Sequence, residues 1–196
     1  MPPTGHRVSE VRGVRDLDGL GGSGGVVVRP ARPDELRRAG EISVEAYAAD
    51  GRLSPDDPYA ERLADAPGRA ADAELLVAVD ADGMVLGTVT VCLPGTPWAE
   101  VSRPGEIEFR MLAVDPAARG RGIGTTLVQA VLRRGRELGV DRVVLCSAEH
   151  MDTAQRLYGR LGFERLPERD WSPAEDHLLK AYAVDLQAVR ADAADA

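Results

Sequence analysis

Between Glu106 and Ser147 the chain reads as strand, glycine-rich turn, helix, strand, and no other segment restricts the fold as much. EIEFRMLAV (106–114) is a strand pattern. Ile123 to Leu138 places Ile123, Leu127, Val128, Val131 and Leu132 on one side of a helix that Gly139 ends. RVVLCS (142–147) is a continuous apolar run, as expected of a central strand buried on both faces. Such a unit predicts a right-handed parallel crossover. Around it, VVVRP (26–30) reads as a strand and Pro33 to Ala49 as a helix stopped by Gly51. Ser54-Pro55-Asp56-Asp57 reads as the start of a short second helix to Ala64. ELLVAVD (74–80) and MVLGTVTVCL (84–93) are strands split by Ala81-Asp82-Gly83, a hairpin signal. Asp152 to Leu161 is a helix with Asp152 and Gln155 as a capping pair, and strands are expected near 163–168 and 178–186. The predicted order is β-α-α-β-β-β-α-β-α-β-β. It makes one α/β domain with a mixed sheet over 26–187, behind a glycine-rich leader (1–25) read as disordered and before a tail (188–196).

The chain has 196 residues, enough to bury a core without staples. A net charge of -8 disfavours a nucleic-acid partner, which needs basic patches against phosphates. There is no C-x-x-C pair and the histidines (His6, His150, His177) are scattered, so no metal site is expected. Cys92 and Cys146 lie in apolar runs and read as buried thiols of a reducing cytoplasm. No apolar run reaches the length of a membrane span, and the first residues lack a signal-peptide core. A soluble, cytoplasmic protein is the expectation.

The turn itself runs Val114-Asp115-Pro116-Ala117-Ala118-Arg119-Gly120-Arg121-Gly122-Ile123-Gly124-Thr125. Alternate glycines let a ligand approach the backbone, and the helix start offers unpaired N–H groups and positive potential to a phosphate. Arg119 and Arg121 add charge. The segment is neither a P-loop, since no Gly-Lys follows, nor a dinucleotide fingerprint, since Thr125 stands where a glycine or alanine is needed.

The stretch LAVDPAARGRGIGTTLV, from Leu112 to Val128, resembles the cofactor motif of GNAT superfamily N-acetyltransferases, Arg/Gln-x-x-Gly-x-Gly/Ala, with Arg119, Gly122 and Gly124 in its places. A second motif of that family, ALYxxxGF, is matched by Ala154, Leu157, Tyr158, Gly162 and Phe163. The resemblance implies a GNAT-like acyl-CoA N-acyltransferase fold, with about seven strands in a mixed sheet and about four flanking helices. It implies acetyl-CoA as co-substrate without a metal, and direct acetyl transfer to a primary amine in a ternary complex. The backbone of Leu112, Ala113 and Val114 would hold the pantetheine arm. Gly120, Arg121, Gly122, Ile123, Gly124 and Thr125, with Arg119, would hold the pyrophosphate. One departure is Met151, where the family often has asparagine.

Strand alternation puts Glu106, Glu108 and Arg110 on one face and Ile107, Phe109 and Met111 on the other. Glu108 is either the general base, as the resemblance implies, or a partner of Arg110 on a wet face. Tyr158 is either the acid that protonates the leaving thiolate or an aromatic of the apolar helix face. Cys146 has no partner histidine and is not read as a nucleophile. Acidic residues of the expected acceptor walls (Asp50, Asp56, Asp57, Glu61, Glu168, Asp170, Glu175, Asp176), with Trp98 or Trp171, would suit a cationic amine. The acceptor is left between a small cationic amine and a protein or peptide amino group. A non-catalytic acyl-CoA sensor is the alternative reading, a nucleotide-binding domain a third, and a homodimer stays open.

Overall fold

The apolar runs join edge to edge into one seven-stranded sheet. The computed structural model describes residues 25–54, 56–149, 151–173 and 177–186. Leader residues 1–24, the tail, Pro55, His150, Glu175 and Asp176 lie outside the described residues. The strands are β1 (Val27–Pro30), β2 (Glu74–Val79), β3 (Val85–Cys92), β4 (Glu106–Val114), β5 (Arg142–Ala148), β6 (Glu164–Arg165) and β7 (Leu179–Asp185), in the order β1-β2-β3-β4-β5-β7-β6. Every neighbouring pair is antiparallel except β4–β5, the crossover expected from the sequence. The β2–β3 turn closes because the Asp80 carboxylate accepts the N–H groups of Asp82 (3.1 Å) and Met84 (2.9 Å).

Among the described residues five α-helices flank the sheet, one more than expected: α1 (Leu36–Ala49), α2 (Tyr59–Ala64), α3 (Ala66–Asp72), α4 (Ile123–Leu138) and α5 (Asp152–Arg160). The extra helix is α3, opened by the Asp65 side chain, which accepts the Gly68 N–H at 2.8 Å, with Pro67 in its first turn. α2 starts at Tyr59, later than the Ser54 signal suggests, because the Asp57 carboxylate accepts the Tyr59 N–H at 2.9 Å. The helix expected from Pro33 begins with a 3-10 turn, Pro33–Glu35. The Asp152–Gln155 capping pair does not form. The Gln155 amide instead donates to the carbonyls of Ala148 (3.0 Å) and Glu149 (3.2 Å), tying α5 to the end of β5. The strand expected over 163–168 shrinks to β6 because Pro167 starts a 3-10 turn.

α4 and α5 cover one face of the sheet. Ile123, Leu127, Val128, Val131 and Tyr158 pack there on Phe109, Val143, Leu145 and Val184. α1 and α3 cover the other face around Ile42, Ala46, Ala66, Leu75 and Val77, and a smaller group of Leu63, Cys92, Trp98 and Met111 extends that side.

Met111 corrects the predicted alternation. It has φ 51°, a left-handed conformation that costs a non-glycine residue about 1–2 kcal/mol. The β3–β4 register moves from Thr88↔Ala113 to Thr90↔Arg110, so Met111 and Leu112 together oppose Val89. This is a β-bulge, and it reverses the faces of the strand. Ile107 and Phe109 point to the α4 side, whereas Met111 points to the α1–α3 side with Ala113.

Close approach sets the helix layer as well. A Cβ on Gly40 of α1 would lie 2.4 Å from the Ala64 carbonyl oxygen of α2. Backbone cannot yield as a side-chain tip can. Gly40→Ala is therefore expected to lower unfolding free energy by about 1–3 kcal/mol in urea or thermal melts; a melt equal to the parent's would refute the close contact.

Candidate functional site

The parallel ladder between β4 and β5 is short. It pairs Glu106↔Arg142, Ile107↔Val143 and Glu108↔Val144 and then stops, although β4 runs on to Val114 and β5 to Ala148. The bulge at Met111 bends β4 at this point, and the strands part. Beyond Glu108, β4 has no strand on its β5 side among the described residues. The peptide groups of Leu112, Ala113 and Val114 follow the fork, with Ala113 and Val114 still laddered to β3 on the other edge. An open strand edge of this kind receives an extended chain of amides.

The turn after β4 leads to the start of α4. Asp115 organises it, accepting the Ala117 N–H at 2.8 Å and pairing with Arg38 of α1 at 2.6 Å. Gly120 (φ 78°) and Gly122 (φ 77°) are left-handed, and Gly122 is the residue before the helix. The main-chain N–H groups of Gly120, Arg121, Gly122, Ile123, Gly124 and Thr125 have no acceptor among the described residues; Thr126 is the first to bond, to the Gly122 carbonyl at 3.1 Å. Six adjacent unpaired donors at the positive end of a 16-residue helix have the geometry that suits an anion. Buried Ile123 pins that helix start into the core.

The two arginines of the turn separate. Arg119 reaches α1, where its Nη2 donates to the Ala46 carbonyl at 3.2 Å and its Nη1 pairs with Asp50 at 2.9 Å. Arg121 is exposed and makes no ion pair among the described residues.

Glu108 stands at the apex of the fork, fully buried. Its Oε2 accepts three main-chain N–H groups of the β3–β4 loop, from Glu100 (2.9 Å), Val101 (2.9 Å) and Ser102 (3.1 Å). Its Oε1 is buried without a hydrogen-bond partner. The same face is not wet, as one reading of the alternation supposed. Arg110 is only 10% exposed, ion-paired to Glu100 and bonded to the Trp98 carbonyl at 2.8 Å. Glu106, two residues earlier, is held by a bidentate pair with Arg169 at 2.5 and 2.9 Å.

Glu100 was not read from the sequence. It lies in a proline-rich loop without periodicity, and only the folded chain brings it to Arg110. Burial raises its carboxyl above the usual range; Arg110 opposes that rise and the Glu108 charge adds to it.

Tyr158 of α5 is buried among Phe109, Phe163 and Tyr182, with ring centroids 5.7, 5.9 and 6.2 Å away. Burial holds its phenol well above the ordinary tyrosine value, so it stays protonated at neutral pH. Burial also pushes the Cys146 thiol up to about 12, so no thiolate forms there at neutral pH. Met151 directly precedes α5 and offers no side-chain cap.

The acidic walls are partly committed to structure. Asp50 pairs with Arg119, Asp170 with Arg165, and Asp57 bonds the start of α2. Trp98 is buried under Arg62, its indole N–H donating to the Gly68 carbonyl at 3.2 Å. Among the described residues no cluster of ligands suits a metal ion, and no helix is long and apolar enough to cross a membrane.

Gly122 and Gly124 should respond differently to alanine. Gly122→Ala must place a Cβ in a left-handed residue and is expected to cost about 1–2 kcal/mol in a denaturant melt. Gly124→Ala meets Leu157 Cδ2 at 3.5 Å, an ordinary contact, and is expected to leave stability within about 0.5 kcal/mol. Equal losses would contradict this geometry.

Comparison with known proteins follows the same geometry. Residues 40–163 match the model of the Acetyltransferase (GNAT) family. A mycothiol acetyltransferase of Sanguibacter keddieii is 36% identical over 145 residues, which cover 72% of this chain and 44% of that protein; the chain spans less than half of that relative. Among solved structures, a GNAT-family acetyltransferase of Staphylococcus aureus superposes with TM-score 0.64 at 15% identity, covering 82% of this chain and 99% of that one. The PaiA N-acetyltransferase of Thermoplasma acidophilum, in complex with coenzyme A, superposes with TM-score 0.63 at 14% identity, covering 80% and 97%. At such identities the superpositions speak to the fold alone.

Proposed function

The chain belongs to the GNAT acetyltransferase family, and from that membership we propose that it transfers the acetyl group of acetyl-CoA to a primary amine by direct attack. One observation carries the proposal: the fork between β4 and β5 opens beside six unpaired amides at the start of α4, and its apex is a buried carboxylate. The pyrophosphate fits the amides of Gly120 to Thr125, with Arg121 free to approach it. Arg119 serves by holding the turn against α1. The pantetheine amides fit the open edge at Leu112, Ala113 and Val114, and an N–H of that edge suits the thioester oxygen as charge develops on it.

Glu108 is the general base in this reading. Its Oε2 is committed to the loop, which leaves Oε1 to take the amine proton, directly or through water. Tyr158, kept protonated by burial, is the acid for the departing thiolate. The amine attacks the thioester carbon, its proton goes to Glu108, and the C–S bond breaks as Tyr158 protonates sulfur.

For the acceptor, the acidic face favours a cationic amine, and the names of the curated relatives point to the mycothiol class. Calorimetry should give binding with acetyl-CoA and none with ATP or NAD. Thiol release from acetyl-CoA should appear with at least one of a polyamine, an amino sugar, a peptide N-terminus or desacetyl-mycothiol. Binding without turnover across such a panel would favour the sensor alternative.

Two substitutions test the roles. Glu108→Gln is expected to lower kcat by about 10²–10⁴-fold with acetyl-CoA affinity kept. Tyr158→Phe should slow turnover while cofactor binding and melting hold; a rate equal to the parent's would remove the acid role.

A further inference from the structure

We infer that Glu100 is a positioning residue: its carboxylate holds Arg110 away from Glu108, and so keeps Glu108 Oε1 free to take a proton. The inference rests on the reading of Glu108 as base. Glu108 and Arg110 share one face of β4, two residues apart; Glu108 is buried and Arg110 partly buried. A guanidinium and a carboxylate so placed ordinarily close into a charge-assisted hydrogen bond. Here they do not. Arg110 Nε stops 3.8 Å from Glu108 Oε1, a loose ion pair beyond hydrogen-bond reach, and Oε1 has no hydrogen-bond partner.

The cause is visible in the other guanidinium nitrogens. Arg110 Nη2 is ion-paired to Glu100, and Nη1 donates to the Trp98 carbonyl at 2.8 Å. Both acceptors belong to the loop whose amides at Glu100, Val101 and Ser102 bind Glu108 Oε2. One loop therefore occupies one oxygen of Glu108 and draws the nearby cation away from the other.

The remaining titratable groups facing Glu108 do not compete. Cys92 on β3, directly paired with Glu108, and Cys146 on β5 are thiols that burial keeps neutral. Arg62 of α2 acts on Glu100, lowering its carboxyl pKa. Removing the Glu100 carboxylate would free Arg110 Nη2 inside a nearly closed site, with Glu108 Oε1 as the acceptor close at hand. The loose ion pair would close to a charge-assisted hydrogen bond, and a carboxylate so paired is a weaker base.

The test uses the full chain with Glu100→Ala, Glu100→Asp, Glu108→Gln and the double variant Glu100→Ala/Arg110→Met, each checked by melting and by acetyl-CoA calorimetry. In a crystal structure of Glu100→Ala, an Arg110 nitrogen is expected within hydrogen-bond distance of Glu108 Oε1. Thiol release is measured with acetyl-CoA and, in turn, spermidine, glucosamine and desacetyl-mycothiol. Glu100→Ala should lose at least about tenfold in kcat with the KM for acetyl-CoA unchanged. Glu100→Asp should keep most of the rate, and the added Arg110→Met should recover much of what Glu100→Ala lost. A merely structural role for Glu100 would not be rescued by a second deletion. The inference is overturned if Arg110 keeps its distance in the Glu100→Ala crystal, or if the double variant is no faster than the single one. A fully active Glu100→Ala beside an inactive Glu108→Gln would remove this inference alone. Full turnover in Glu108→Gln would remove the base reading and this inference with it.

Discussion

The site depends on the early end of a β ladder. Backbone donors and acceptors rarely stay unpaired in a folded chain, so two parallel strands that separate after Glu108↔Val144 leave peptide groups open for a reason the surrounding structure must sustain. Three features sustain it here. The bulge at Met111 bends β4, the aromatic cluster of Phe109, Tyr158 and Phe163 fills the α5 side, and the β3–β4 loop closes on Glu108 from the opposite side. The left-handed Met111 is a local cost at the place where the sheet opens into a fork.

Charge is placed on the α1–α3 face with unusual economy. Glu106 is matched by Arg169, Glu100 by Arg110, and Glu108 by three amides at one oxygen, with Arg110 Nε 3.8 Å from the other. Arg69 is the opposite case, a fully buried guanidinium with no carboxylate partner among the described residues. It donates to Thr90 Oγ1, Ser43 Oγ and the Leu63 carbonyl, and burial lowers its pKa to about 10. It fastens α3 to α1 and β3 through neutral oxygens, which partly offset the desolvation of the charge. The helices that would wall an acceptor site are thus held by hydrogen bonds as well as by apolar packing.

The two arginines of the glycine turn show how little a motif says about side-chain roles. Their spacing in sequence makes Arg119 and Arg121 equal candidates for a phosphate. In the fold, Arg119 is turned to Ala46 and Asp50 and fixes the turn, while Arg121 remains in solvent. The unpaired donors of the turn belong to the main chain, and glycines at 120 and 122, both left-handed, set its course.

The sequence by itself determined the strand–turn–helix–strand unit, the seven-stranded mixed sheet and the glycine turn that opens the helix at Ile123, because these follow from local periodicity and glycine placement. It also brought out Glu108 and Tyr158 by motif position. It did not determine α3, the reversed faces of β4 after Met111, or the partnership of Glu100 with Arg110. Asp65 and Pro67 did carry a local signal for α3, but one short enough to pass as loop. The bulge and the Glu100 pair had none, since they arise only when β3 fixes the register of β4 and the loop folds back over it. Tertiary structure decided which oxygen of Glu108 is occupied and which is left free, because that depends on donors eight, seven and six residues away arriving at one point in space.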